Sequence, residues 1–163
     1  MNICIYHGNC ADGFGAAWVV RKALGDIEFF AGKYQEPPPD VTGKNVVMVD
    51  FSYKRPVLLE MAKKANSILI IDHHKTAAED LVDLPANVTA KFDMDHSGAM
   101  LTWEHFFPNK EAPELLYRIE DRDLWKFAFQ NTRLGQASVF SDPYDLEVWE
   151  RLMATCTYVL AAG

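Results

Sequence analysis

Three short apolar runs, Ile3 to Tyr6, Val46 to Val49 and Ile68 to Ile71, each stop at residues suited to holding a cation. The first leads into His7 and Asp12, the second into Asp50, the third into Asp72-His73-His74. Between the runs lie stretches with helical spacing. Short β-rich runs alternating with helices build a parallel sheet, because parallel neighbours need a long crossover. All strands of such a sheet end at one edge, so residues that follow different strands become neighbours in space. Carboxylate oxygens and imidazoles gathered there suit Mn²⁺, Mg²⁺ or a related divalent ion.

The remaining pattern extends this scheme. Gly13 to Leu24 reads as a helix with Ala16, Ala17, Val20 and Leu24 at core spacing and Gly25 as its stop. Ile27 to Ala31 reads as a strand, Pro37-Pro38-Pro39-Asp40 as a loop. A helix is expected from about Lys54 to Ala65, with Val57, Leu58, Met61 and Ala65 inward. Val88 to Phe92 adds a fifth strand. Ser97 caps a helix to about Phe107, Pro113 opens one to about Arg122, and a last helix runs from about Pro143 past Leu152. The expected fold is α/β: a doubly wound, mostly parallel five-stranded sheet with helices on both faces.

A chain of 163 residues, 49% hydrophobic and 24% charged, suits one domain with its own core. No window approaches the roughly 20 apolar residues of a membrane span, and the first residues lack a secretory signal, so a cytoplasmic location and no membrane partner are expected. Cys4, Cys10 and Cys156 form neither an even set nor a C-x-x-C pair, which argues against a disulfide framework or structural zinc. A net charge of −7 speaks against a general polyanion-binding surface. Lys54-Arg55 and Lys63-Lys64 read as solvated helix faces. An acidic protein still handles phosphate when a bound metal supplies the positive charge.

A lone His after a strand is usually a turn residue and a lone Asp a helix cap. Asp72-His73-His74 exceeds what capping requires, and with His7, Asp12 and Asp50 at equivalent strand ends the metal reading is preferred. Ser97-Gly98, at a helix N-terminus, offers backbone N–H groups to a phosphate, although a plain Ser cap also explains it. Asp93, Asp95 and His96 are extra ligand candidates or simply a polar loop.

Ile70-Ile71-Asp72-His73-His74-Lys75 resembles the signature of the DHH phosphoesterase superfamily, which includes RecJ-type exonucleases, small-oligonucleotide and cyclic-dinucleotide phosphodiesterases and family II inorganic pyrophosphatases. His7-Gly8-Asn9-Cys10-Ala11-Asp12-Gly13 resembles its first motif, Val49-Asp50 the second, and Glu120-Asp121-Arg122-Asp123 the fourth. The likeness spans about Ile3 to Trp125. It implies that His7 and a first-motif aspartate hold one ion, that Asp50 bridges two, and that His73 with Asp123, or alternatively Asp121, holds the second. Asp123 is preferred because Asp123-Leu124-Trp125-Lys126-Phe127 resembles the family's Asp with Phe four residues on. Asp72 and His74 would orient the ligands and touch phosphate, with Asp50, His73 and His74 counted as catalytic.

The chain departs from the family in one respect that concerns the metals. The first motif usually carries two alternating acids; this one has a single Asp12 flanked by Cys10 and Phe14. Either Cys10 or water fills the vacancy, or one metal position is weakened. Nothing resembles the family's C-terminal substrate-binding domain, so residues 1–163 read as a single DHH-type catalytic domain, and the chain as truncated.

The resemblance implies one or two Mn²⁺ ions, or Mg²⁺ or Co²⁺, and water-mediated hydrolysis of phosphodiesters in a short oligonucleotide or nucleotide. Alternatives are a phosphoanhydride or phosphomonoester hydrolase, and a non-catalytic nucleotide or metal sensor. A homodimer stays open. Gly13-Phe14-Gly15 is no dinucleotide fingerprint, since Trp18 stands at the third glycine. Asp93-Met94-Asp95 stands too late in the chain for an aspartyl-phosphate nucleophile.

Overall fold

The computed structural model describes residues 1–126 and 144–160. Five strands form one all-parallel sheet: β1 (Asn2–His7), β2 (Glu28–Gly32), β3 (Asn45–Val49), β4 (Ser67–Asp72) and β5 (Val88–Phe92). Among the described residues six helices accompany them: α1 (Ala11–Leu24), α2 (Arg55–Lys64), α3 (Lys75–Asp80), α4 (Gly98–Phe106), α5 (Glu114–Asp123) and α6 (Leu146–Leu160). The strand order is β2-β1-β3-β4-β5. The chain thus winds outward one way through β2 and the other way through β4 and β5, and the reversal falls between β1 and β3. That is the place where open α/β sheets leave a crevice beyond their strand ends.

Strand alternation divides the core in two. Cys4, Val47, Val49 and Ile71 face a cluster built with Trp18, Val19, Trp103, Leu116, Ile119 and Trp149, which draws on α1, α4, α5 and α6. Ile3, Ile5, Val46, Met48, Ile68 and Ile70 face Leu58, Met61 and Leu81 on the other side, which α2 covers. Burial on both faces explains why these strands read as continuous apolar runs. Each fully buried aliphatic side chain contributes roughly 1.5–3 kcal/mol.

The expected fold class is the observed one. Differences are local. Helix α1 starts at Ala11 and buries Phe14, Trp18 and Val19 besides the expected Ala16, Ala17 and Val20, while Leu24 is exposed. Helix α2 turns Leu58, Met61 and Ala62 inward and leaves Val57 outside. Helix α3 has no buried residue and hence no apolar stripe to announce it. Trp18, Trp103 and Trp149 lie in the core, whereas Trp125 is 79% exposed with φ of 56°, just past the end of α5. The last helix is described from Leu146; its expected start at Pro143 and the Phe127 of the fourth motif lie outside the described residues.

Candidate metal centre

Register decides which residues meet. Tyr6 pairs with Val49 and Val49 with Ile71, so His7, Asp50 and Asp72 each stand one position beyond the same row of the sheet. Adjacent strands lie about 4.8 Å apart, which sets that row at ligand spacing. Asp50 leaves β3 with φ of 53°, in the left-handed region that Asp tolerates better than most residues, and its N–H still donates to Ile71 at 2.9 Å. The turn carries its carboxylate into the crevice, where it is 1% exposed.

Around Asp50 the donors fall into two groups that a metal ion could join. On one side, His7 Nδ1 lies 3.6 Å from Oδ2, and the Cys10 thiol donates to the same oxygen at 3.7 Å. On the other, His73 Nε2 stands 2.9 Å from Asp50 Oδ1, 3.4 Å from Asp12 Oδ2 and 3.5 Å from Asp123 Oδ2. Asp12, His73 and Asp123 form a ligand-distance group, and Asp50, Asp72, His73 and His74 another. Asp123 is therefore in a cluster, while Asp121, 3% exposed, is in none of these groups among the described residues. The resemblance pairs a first-motif aspartate with His7; the fold instead sets Asp12 beside His73 and Asp123, and Cys10 beside His7.

Helix α4 explains the position of Asp12. Gly98 N–H donates to Asp12 Oδ2 at 2.8 Å and Ala99 N–H to Oδ1 at 2.8 Å, an anion held on a helix N-terminus. The N–H groups that the sequence offers to a phosphate are thus spent on a side chain of α1. Ser97 is an N-cap, its hydroxyl accepting from Met100 N–H at 3.2 Å, and its own N–H donates to Glu120. Close approach demands glycine twice. A Cβ on Gly98 would lie 2.5 Å from Asp50 Cβ, and one on Gly13 would run into the His7 carbonyl oxygen.

Asp72 is fully buried and acts as a bracket. Its Oδ1 accepts from His73 N–H at 2.8 Å and bonds His74 Nδ1 at 2.6 Å, and its Oδ2 accepts from the Ser52 hydroxyl at 2.8 Å. Nothing in the sequence singles out Ser52, since a serine two residues past a strand is common. Asp93 closes a local turn by accepting from Asp95 N–H at 2.8 Å, and His96 faces Glu120 at 3.4 Å. Among the described residues neither they nor Asp95 fall in a ligand-distance group, which favours the polar-loop reading.

The electrostatics have the form of a site built for cations. Burial, with Asp50 and Asp123 nearby, pushes the Asp12 carboxyl well above the usual range despite its two N–H donors. Burial also raises Asp123, partly offset by the charge of His73. For Asp50, burial acts upward, yet the imidazoles of His7 and His73 outweigh it and hold the carboxyl at about 2. Burial lowers His73, but Asp50 and Asp123 raise it more; the Asp72 hydrogen bond raises His74. Burial and Asp50 push the Cys10 thiol up to about 12. Several acids crowded on three imidazoles cannot all ionise comfortably without added positive charge. His7 Nδ1 is buried with no hydrogen-bond partner. An orphaned imidazole nitrogen aimed at a carboxylate, with oxygen, nitrogen and sulfur donors around it, fits a divalent ion.

No described helix is long and apolar enough to cross a membrane. An uncharacterized protein of Acanthamoeba polyphaga mimivirus is 31% identical over 173 residues, covering 94% of this chain and 40% of its own length. The chain thus spans about two fifths of that relative. A crystal structure of an uncharacterized protein from Helicobacter pylori superposes with a TM-score of 0.60 at 12% identity, over 78% of this chain and 45% of that one, a likeness of fold. Residues 2–121 match the profile described as DHH family, N-terminal domain, and the chain belongs to that family.

Proposed function

We propose that this protein is a divalent-metal-dependent phosphoesterase that hydrolyses phosphodiester bonds of short nucleic acids or nucleotides. Family membership supports the coarser statement, metal-dependent phosphoester hydrolysis. The observation that carries the reading is His73 Nε2 standing within 3.5 Å of three carboxylates from separate elements, with Asp50 shared by donor groups on both sides. His7, Cys10 and Asp50 would hold one ion, and Asp12, Asp50, His73 and Asp123 a second. Bound divalent ions supply Lewis acidity, lowering the pKa of water and neutralising charge on phosphate.

The chain's own residues do the rest. Asp72 fixes the His74 ring through Nδ1, which leaves Nε2 to donate to a phosphate or leaving oxygen. Ser52 holds Asp72 in turn. The net charge of −7 favours a short substrate over a long polyanion.

The test is Mn²⁺-dependent release from bis-p-nitrophenyl phosphate and from short oligonucleotides by full-length protein. Asp50→Ala should lose Mn²⁺ binding and turnover together; unchanged Mn²⁺ affinity in that variant would remove Asp50 from between the two donor groups. The second reading, a sensor that binds metal or nucleotide without turnover, is favoured by Cys10, which stands on the His7 side where a hard acid is expected. Tight binding with no release from either substrate would select it.

A further inference from the structure

The two donor groups around Asp50 differ in chemistry, and the difference traces to Cys10. Cys10 is the N-cap of α1, with an extended backbone at φ of −137° and ψ of 130°, and its C=O accepts from Phe14 N–H at 2.9 Å. Its side chain makes no capping hydrogen bond. The thiol instead faces Asp50 Oδ2 at 3.7 Å. His7 meets the same oxygen through Nδ1 at 3.6 Å, and that nitrogen has no hydrogen-bond partner. The His7 ring packs on Tyr34 and Phe51, with centroids 5.3 and 6.1 Å away, which fixes the edge it turns to Asp50.

These separations discriminate between ions. Zinc bonds of about 2.1 Å to nitrogen and oxygen and about 2.3 Å to sulfur set tetrahedral donors about 3.4 Å apart for N and O, and about 3.6 Å for S and O. Six-coordinate magnesium at about 2.1 Å sets neighbouring donors about 3.0 Å apart. The observed 3.6 and 3.7 Å match the first pair to within about 0.2 Å and fall well outside the second. Nitrogen, sulfur and one oxygen are also the donors of a borderline-soft ion, and three protein donors leave the fourth corner of a tetrahedron open. On the other side, Asp12, Asp123 and Asp50 Oδ1 surround His73 Nε2 at 2.9 to 3.5 Å. Three carboxylates to one imidazole make a hard donor set, of the kind that suits Mn²⁺ or Mg²⁺.

We infer that the centre is built for two different metals: a four-coordinate, borderline-soft ion of the zinc type on His7, Cys10 and Asp50, and a hard, six-coordinate ion on Asp12, Asp50, His73 and Asp123. The inference rests on the proposed two-ion centre, but not on its hydrolytic activity. Cys10 binds as a thiolate: its S–H bond breaks, the sulfur–metal bond forms, and the proton passes to solvent. Sulfur draws the softer ion to one side, and the carboxylates hold the harder one on the other.

The probe is Co²⁺, which substitutes for zinc and shows a thiolate-to-metal charge-transfer band in the near ultraviolet when sulfur binds it. In the full chain freed of metal, the band should rise with the first equivalent of Co²⁺, vanish on adding an equivalent of Zn²⁺, and persist under excess Mn²⁺. Beside that Zn²⁺ the protein should still take up Mn²⁺, read by electron spin resonance. Cys10→Ser places a favoured capping residue at the start of α1 and so keeps the fold. It should abolish the band and weaken Zn²⁺ binding by about a hundredfold or more, while leaving Mn²⁺ affinity in place. No band at any Co²⁺ loading, a band that survives in Cys10→Ser, or Mn²⁺ displacing Co²⁺ as readily as Zn²⁺ does, would each overturn the inference. A Cys10-dependent band without turnover of bis-p-nitrophenyl phosphate rejects the hydrolase and keeps the two-metal split; turnover with Mn²⁺ and no band does the reverse.

Discussion

Adding one methyl group at Gly98 should damage the metal centre although nothing polar is removed. Gly98 opens α4 directly after the Ser97 cap, and its φ is not in the region that favours glycine. Alanine there should stabilise the helix by roughly 0.5–1 kcal/mol. The new Cβ, however, would stand 2.5 Å from Asp50 Cβ and 2.7 Å from Oδ1. Restoring ordinary contact at 3.4 Å means opening that approach by about 0.9 Å. Asp50 has no room to yield: it is 1% exposed, hydrogen-bonded to His73 and tied by its N–H to Ile71. Helix α4 can retreat only by pulling Gly98 and Ala99 N–H from Asp12. Overpacking of this kind costs about 1–3 kcal/mol, so the net loss is roughly 1–2 kcal/mol, a fall in Tm of about 2–8 °C for a chain of this size. Misplacing groups that orient ligands costs about 10–100-fold in metal affinity. Denaturation of Gly98→Ala in EDTA and Mn²⁺ titration calorimetry would measure both. A variant as stable as its parent with unchanged Mn²⁺ affinity would refute the claim that this gap is filled by the Asp50 carboxylate.

Two further predictions concern softness and pH. Cys10→Asp should raise Mn²⁺ affinity and lower Cd²⁺ affinity, each by on the order of tenfold, because sulfur prefers soft ions and carboxylate hard ones; an unchanged ratio in competition titrations would show that Sγ touches no ion. The metal-free protein should be most stable in mild acid. Asp50, held at about 2, contributes stability above its ordinary 3.8 that is lost as pH falls towards 2. His73 and His74, raised above 6.5, contribute stability present below 6.5 and lost as pH rises through their folded values. Asp12 and Asp123, raised above 3.8, add to the loss as pH climbs. Urea unfolding across pH in EDTA should show the decline towards neutral pH, and saturating Mn²⁺ should reverse it, since an ion binds the deprotonated acids. A flat profile with and without metal would contradict these shifts.

Much of this architecture is local and could be read along the chain. Apolar runs such as Val46–Val49 are recognisable because burial on both faces removes polar alternation, and Ser97 because a capping hydroxyl acts within its own first turn. Helix α3 was not legible, since none of its residues is buried and no stripe marks it. The exposure of Trp125 was equally hidden, because a helix end in left-handed geometry turns a residue outward whatever its hydropathy.

That His7, Asp50 and Asp72 lie side by side was legible, because residues placed after parallel strands share an edge. Their partnerships were not. Asp12 joins His73 and Asp123, and Cys10 joins His7, because the N-terminus of α4, 86 residues further on, supplies the N–H groups that hold Asp12 in place. The packing of Tyr34 on Phe51, and of Phe51 on Tyr53, likewise exists only once the β2–β3 loop folds back beside the end of β3. Spacing along a chain encodes strands, caps and edges, which depend on neighbours in sequence. Which carboxylate faces which imidazole depends on how distant helices dock, and that is settled by packing.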